Sequence, residues 1–416
     1  MSFAKLLPIM KHHIFFSISQ TPVGGVLPPE NEMWNNFFSQ VIEADKLGFE
    51  SAWIAEAHLS SEVQKQNKNP VIPHWQGEVG LNTDIFQLAR EVFARTERIE
   101  VGSAILNLLC NGGPVAHAER LATFLSLHGL NPNEKRKLNL GFAAGRFDFN
   151  SRATGVVPRN GLEESFWPIY KNKFFEEATE VFLRLFQGET LSSQDIPQRV
   201  ITKDDFLSEG DWQSFRISNP LISETHQVER RWDFEKIQIV PKSYRRELCQ
   251  LYIGTHNPRL QTWANEFAPV RVFNLSITQP EIIDQTHERM LKSYNQNGGP
   301  WLREYMPRTT FVFVHADKKL TDKQNSARAH EKAELALNEY WKALEGTINS
   351  NKVKSAATNA LVGNPQEVAN QILTRFHPSD TLMLWFDFFN HDCSDVIEMM
   401  DVYQNQIRPM VESKNR

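Results

Sequence analysis

Two short constellations in this chain could carry chemistry, and a third could hold a flat ligand. Glu56 and His58 stand two residues apart just after the β-rich run SAWIA at 51–55. If strand geometry persists, both side chains fall on one side. A histidine beside a carboxylate can act as a general base near neutral pH, because the carboxylate stabilises the imidazolium of a group that titrates at about 6.5 when unperturbed. A core or interface histidine has the same signature. The segment THNPRL at 255–260 can open a helix with Asn257 as cap and Pro258 in the first position. Free N–H groups there, with the Thr255 hydroxyl and the Arg259 guanidinium, suit a phosphate monoester. An ordinary capped helix with Arg259 in water reads equally well. The third segment, AILNLLCNGG at 104–113, passes from an apolar strand end into a loop with two glycines. That composition suits a flat heteroaromatic ring or simply a packed barrel mouth.

The elements that must position these residues alternate along nearly the whole chain. Short β-rich runs are expected at 13–18, 51–55, 99–105, 137–143, 251–254, 271–275, 309–314 and 381–386, about eight in all. Amphipathic helices are expected at 31–47, 84–96, 115–127, 174–186 and 395–407, with Gly48 stopping the first and Asp84 capping the second. Eight βα units predict an α/β fold, a (β/α)8 TIM barrel, whose chemistry belongs at the C-terminal ends of its strands. Glu56, His58 and the small-residue turn GFAAGR at 141–146 fall at such ends. The chain reads as one barrel domain over 1–416, with a smaller excursion at about 60–82, rich in polar residues and carrying Pro70 and Pro73, and an insertion at about 190–235.

Composition narrows the partners. With 45 basic and 50 acidic residues well mixed and a net charge of −5, there is no field for a polyanion or an anionic membrane, so neither nucleic acid nor membrane is expected. The three cysteines, Cys110, Cys249 and Cys393, are widely separated, which predicts neither a disulfide framework nor a zinc site. Lys5, Lys11, His12 and His13 surround an apolar stretch too short for an export signal or a membrane span, and a cytoplasmic location is expected. Dinucleotide, P-loop and HExxH motifs are missing. His117 with Glu119, and His287 with Glu288, fall on expected helices and read as solvated or interface residues.

Five segments in series, LGFESAWIAEAHL (47–59), ARTERIEVGSAI (94–105), PVAHAERLA (114–122), LNLGFAAGR (138–146) and LVGNPQEVANQIL (361–373), resemble the bacterial luciferase-like flavin-dependent monooxygenases. The turn FAAGR and the later THNPR are closer to members attached to natural-product pathways than to light-emitting luciferases. The resemblance implies a barrel that binds reduced FMN, with the ring against a strand-three bulge at Ala104 and Ile105, where the family often has a non-prolyl cis peptide. It places Ala143, Gly145 and Arg146 beside the flavin and gives the phosphate to Gly254, Thr255, His256, Asn257 and Arg259. Glu56 and His58 take the catalytic positions. The histidine usually given the base role in luciferases is Ala57 here, while the cysteine and arginine near the flavin are Ala143 and Ala144, so light emission is not implied.

The function implied is a two-component monooxygenase: FMN, reduced by a separate and transiently bound flavin reductase, is used with oxygen to oxidise a small organic or natural-product substrate. Two alternatives stay open. One is a deazaflavin-dependent oxidoreductase of the same fold that transfers hydride; the other is a non-catalytic barrel subunit of a heterodimer. A homodimer through helices beside strands two and three is expected by resemblance.

Overall fold

In the computed structural model, residues 10–67, 72–218, 224–344 and 350–414 are described. Lys5 and Pro70 lie outside them. The strands are β1 (Lys11–Phe16), β2 (Ser51–Ile54), β3 (Glu100–Asn107), β4 (Leu138–Ala143), β5 (Cys249–Ile253), β6 (Val270–Val272), β7 (Arg308–Val314), β8 (Leu361–Gly363) and β9 (Thr381–Trp385). They form a parallel sheet in the order β8-β7-β9-β1-β2-β3-β4-β5-β6. The free edge of β6 returns to the start of β7, where Asn274 donates to the Pro307 carbonyl (3.0 Å) and accepts from Thr309 (3.3 Å). Eight strands therefore close a (β/α)8 barrel, and β8 is an extra strand outside it. β7 serves both neighbours in turn: Arg308–Phe311 pair with β9, and Val312–Val314 pair with β8.

The helices that pack outside include α1 (Glu30–Leu47), α2 (Ile85–Arg95), α3 (Gly113–His128), α4 (Trp167–Phe186), α5 (Pro258–Ala264), α6 (Pro280–Ser293), α7 (Asp322–Leu344), α8 (Pro365–Arg375) and α9 (Cys393–Val402). Their ends obey local chemistry. Gly48 ends α1 in the left-handed region at φ 85°, and Asp84 caps α2 by accepting from Phe86 and Gln87. No helix among the described residues is long and apolar enough to cross a membrane.

Several boundaries differ from expectation. The first strand lies two residues earlier than expected, because Ile18 takes φ 46° and cannot continue a strand. α4 begins at Trp167 rather than 174, and the sixth strand stops at Val272. The closing helix starts at Cys393 on an Asp392 cap and passes through a wide turn at Tyr403–Ile407 into a last helix, Arg408–Lys414. The insertion is less irregular than its composition suggests. It contains the helix Glu209–Ser218 and a two-stranded pairing of Val200–Ile201 with His226–Gln227, and it buries Leu191, Ile201, Trp212, Phe215 and Val228 in the barrel's outer core.

Inside the barrel, Trp53 is fully buried and its indole N–H donates to His13 Nδ1 at 2.9 Å. Burial lowers His13 to about 3, so it stays neutral and accepts. Tyr252 and Phe273 pack on the same indole, with ring centroids 4.9 and 5.4 Å away. The opposite wall must give way, and it does so at Gly102, where a Cβ would run into the Trp53 ring. A second anchor sets β3 against α1. The buried Asp45 carboxylate accepts the backbone N–H groups of Glu97 (2.9 Å), Arg98 (2.9 Å) and Ile99 (2.7 Å).

Gly102→Ala should cost about 1–3 kcal/mol by overpacking, read as a lower urea midpoint at unchanged slope. Asp45→Ala should cost about 3 kcal/mol, because three N–H groups, that of Ile99 buried, lose a charged acceptor. An Asp45→Ala midpoint equal to that of the parent would show that water replaces the carboxylate there.

Candidate active site

The upper layer of the barrel interior is an apolar floor. Phe15, Ala55, Ala104, Ile105 and Trp385 sit at the C-terminal ends of β1, β2, β3 and β9, on the packed layer of Trp53, Tyr252, Phe273 and Met383. β3 is irregular here: its register with β4 shifts between Ser103 and Leu106, and the Ala104–Ile105 peptide is cis. Three further features meet at Ile105. A Cβ on Gly254 would strike its Cδ1 and lie 3.5 Å from the Ala143 Cβ, and a Cβ on Gly141 would strike the Ser103 carbonyl. Glycine and alanine thus let β3, β4 and β5 converge closely on Ile105, whose side chain fills the space a side chain at 254 would need.

Glu56 and His58 follow Ala55 directly. Their geometry is set by Asn82, whose side chain donates to the Ala55 carbonyl (3.0 Å) and whose carbonyl accepts from Ala57 (3.0 Å). His58 Nε2 lies 3.1 Å from Glu56 Oε1, while the second carboxylate oxygen faces the N–H of Ile85 at 3.4 Å. Asn111 Nδ2 stands 3.4 Å from His58 Nδ1. A neutral imidazole with its proton on Nε2 satisfies both contacts. Burial raises the Glu56 carboxyl above the usual range, opposed by the hydrogen bond and charge of His58. The pair can therefore hold a proton at the edge of the floor and pass it between imidazole and carboxylate.

The turn after β4 is held from beneath. Lys171 on α4, nearly buried, donates to the Gly145 carbonyl (2.9 Å) and pairs with Asp148 (2.6 Å). Gly145 sits at φ 72° against the Asn107 amide, where any side chain would clash. Arg146 lies over the Phe147 ring, 5.2 Å from its centroid.

The segment expected to hold a phosphate is more self-contained than its sequence suggests. Asn257 caps α5 by accepting from Arg259 (3.0 Å) and Leu260 (3.4 Å), and the Thr255 hydroxyl accepts from Asn257 (3.2 Å). Pro258 has no N–H, so the side chain of Asn257 takes the donors an anion would use. Arg259 is mostly exposed and faces Asp204 of the insertion at 3.8 Å. The adjoining groove of about 470 Å³ mixes Lys173, Arg199 and Arg259 with Glu176, Asp204 and Asp205. An anion here would rest on the Thr255 hydroxyl, the Arg259 guanidinium and the backbone of Gly254 to His256, rather than on the helix start.

The structure thus brings Ala104, Ile105, Ala143 and Gly254 together, with Glu56 and His58 at the next strand end. It leaves Thr255, His256, Asn257 and Arg259 on the lip beyond Gly254. Sequence reasoning passed over Asn82, Asn107 and Lys171, which touch the site only through other residues. It also passed over Trp385 and Asp387, although both stand at a barrel strand's C-terminal end, the same signal that singled out Glu56. Beyond them, between α7 and the segments after β1 and β9, lies a separate cavity of about 570 Å³ walled by Trp75, Phe313, Leu335, Phe388 and Phe389.

Comparison with known proteins agrees with this layout. Residues 10–129 match the family model described as luciferase-like monooxygenase. No curated protein sequence matches the chain. Among solved structures, monooxygenase RslO1 from Streptomyces bottropensis is similar at a TM-score of 0.61 and 16% identity, covering 96% of this chain and 99% of that one. The oxygenating constituent of 3,6-diketocamphane monooxygenase from Pseudomonas putida, in complex with FMN, has a TM-score of 0.54 at 12% identity, with 96% and 98% covered. An F420-dependent secondary alcohol dehydrogenase, in complex with an F420-acetone adduct, has the same TM-score and identity, with 97% and 99% covered. Identities this low speak for the fold. The family match spans β1, β2 and β3 alone, so the chain is similar to the luciferase-like monooxygenases in sequence over that stretch and to the solved structures in fold over nearly its whole length.

Proposed function

We propose that this chain is the oxygenating component of a two-component system, which takes up FMN already reduced by a separate reductase and uses it with oxygen to oxidise a small organic substrate. The observation that carries the reading is the apolar floor at the C-terminal mouth of the barrel, with a proton-holding pair, Glu56 and His58, at its edge. Reduced flavin supplies the reaction with oxygen. The protein's own tasks are to bind and to shield. The Ala104 and Ile105 side of the floor would accept the ring on apolar atoms, Lys171 keeps the turn at Gly145 in place, and Thr255 and Arg259 would take a phosphate at the lip. His58 Nδ1 is the atom that would exchange a proton with the reacting groups, while Glu56 fixes the ring through Nε2. Pairing of two copies beside β2 and β3 belongs to the same reading.

A second reading has a specific support. The F420-dependent dehydrogenase is as similar in fold as the FMN-bound monooxygenase component. Such an enzyme would transfer hydride and leave oxygen untouched, using the same mouth.

Anaerobic titration with photoreduced FMN should show saturable binding, and mixing with oxygenated buffer should then give a transient spectrum distinct from reduced and oxidised flavin. Gly254→Val would displace Ile105 from its packed position in the floor and should weaken FMN binding about tenfold or more, equivalent to about 1.4 kcal/mol. Retention of F420 with no affinity for FMN would move the assignment to hydride transfer, and retention of neither would point to a supporting subunit. His58→Ala should leave FMN binding unchanged while product formed per oxygen consumed falls about 10²-fold. Full coupling in that variant would remove His58 from the chemistry.

A further inference from the structure

Asp387 stands two residues beyond β9. Along this strand Leu382, Leu384 and Phe386 enter the outer core, whereas Met383 packs inside the barrel and Trp385 lies on the floor. Alternation therefore turns Asp387 toward the mouth, directly above Trp385. The neighbouring floor offers little that is polar. Phe15 and Phe311 pack on the Trp385 ring, with centroids 4.5 and 5.1 Å away, and Phe388 stacks on Phe311 at 4.1 Å. Within this aromatic shell, two atoms closed off from water have no hydrogen-bond partner among the described residues: Asp387 Oδ1 and Trp385 Nε1. The indole lies beside the carboxyl but off the line of a hydrogen bond. Buried polar atoms left in this way are costly, and each needs an explanation.

The charges around the rim are engaged elsewhere. Lys332 pairs with Asp395 at 2.5 Å, His391 bonds to the Thr21 carbonyl at 2.7 Å, and Arg146 lies over Phe147. None of them acts on Asp387. Burial pushes its carboxyl up to about 7, eased only by the N–H groups of Ser17 and Asp387 itself and by the Trp385 indole. Below that value the group is a neutral acid and a donor. The indole N–H is also a donor, and a carbonyl oxygen, with two lone pairs, is the acceptor that can receive both.

We propose that Asp387 is a binding residue of the mouth that acts as a carboxylic acid, donating a hydrogen bond to the carbonyl oxygen of an aromatic ketone or comparable conjugated carbonyl substrate lying against Phe15 and Trp385, on the β1 and β9 side of the floor and across from the Ala104 and Ile105 side given to the flavin ring. The proposal rests on the reading of this mouth as the place of reaction, but not on which flavin serves it. It also fixes a sign: the contact exists while the acid keeps its proton and is lost as pH rises through about 7.

The test compares acetophenone with ethylbenzene, a pair matched in shape but not in acceptor, by calorimetric titration of the flavin-free full chain at about pH 6 and about pH 8, on either side of the carboxyl's value. The parent should prefer the ketone about tenfold at the lower pH and lose most of that preference at the higher. Asp387→Asn, a neutral donor at both, should keep the preference at both, and Asp387→Leu should show none. Unchanged circular dichroism and thermal midpoint verify that each variant is folded. A preference in the parent that does not vary with pH, one that survives in Asp387→Leu, or the absence of ketone binding at either pH would overturn the proposal. Because neither probe needs flavin, a chain that failed to bind FMN but passed this test would overturn only the flavin assignment.

Discussion

Everything above the barrel's midline depends on how Trp53 is held. An indole is large for the interior of an eight-stranded barrel, and it fits because Gly102 removes the side chain it would strike while Tyr252 and Phe273 close on its other sides. The hydrogen bond to a neutral His13 satisfies its one polar atom. This plug fills the barrel from below. Ligand chemistry is therefore confined to the C-terminal mouth, and the residues resting on the plug, Phe15, Ala55, Ala104, Ile105 and Trp385, inherit a rigid base.

On that base the strands contribute unequally. β3, β4 and β5 supply small residues and an irregular backbone, which allow close approach; β2 and β9 supply carboxyl groups in low-dielectric surroundings. Glu56 and Asp387 are both raised by burial, but their neighbours differ. Glu56 has an imidazole that can share its proton, whereas Asp387 has only peptide N–H groups and an indole. Two groups of one type, set apart by environment, are suited to different tasks at one site.

Much of this was legible in the chain itself. The alternation of β runs and amphipathic stretches gave the barrel, Asp84 and Asn257 proved to be caps where their positions implied, and Glu56 and His58 do form a hydrogen-bonded pair. The misses have physical causes. β8 is three residues long, too short for a periodicity, and Ile18 ends β1 through a backbone torsion that no composition reveals. The insertion looked irregular because its buried side chains, such as Ile201 and Phe215, come from short elements and follow no single period. At THNPRL the sequence showed donors but not that Asn257 would use them. Lys171 and Asn82 act at long sequence separation, through contacts that only the fold creates.

The change of partner along β7 has a consequence for the flank of the barrel. Because its first half pairs with β9 and its second half with β8, the barrel wall divides just below the rim, and Phe313 on the diverging half lines the apolar cavity beneath α7. On this flank, therefore, an apolar hollow distinct from the mouth lies between α7 and the segment after β9, and the barrel carries two separate cavities of different lining on its C-terminal side.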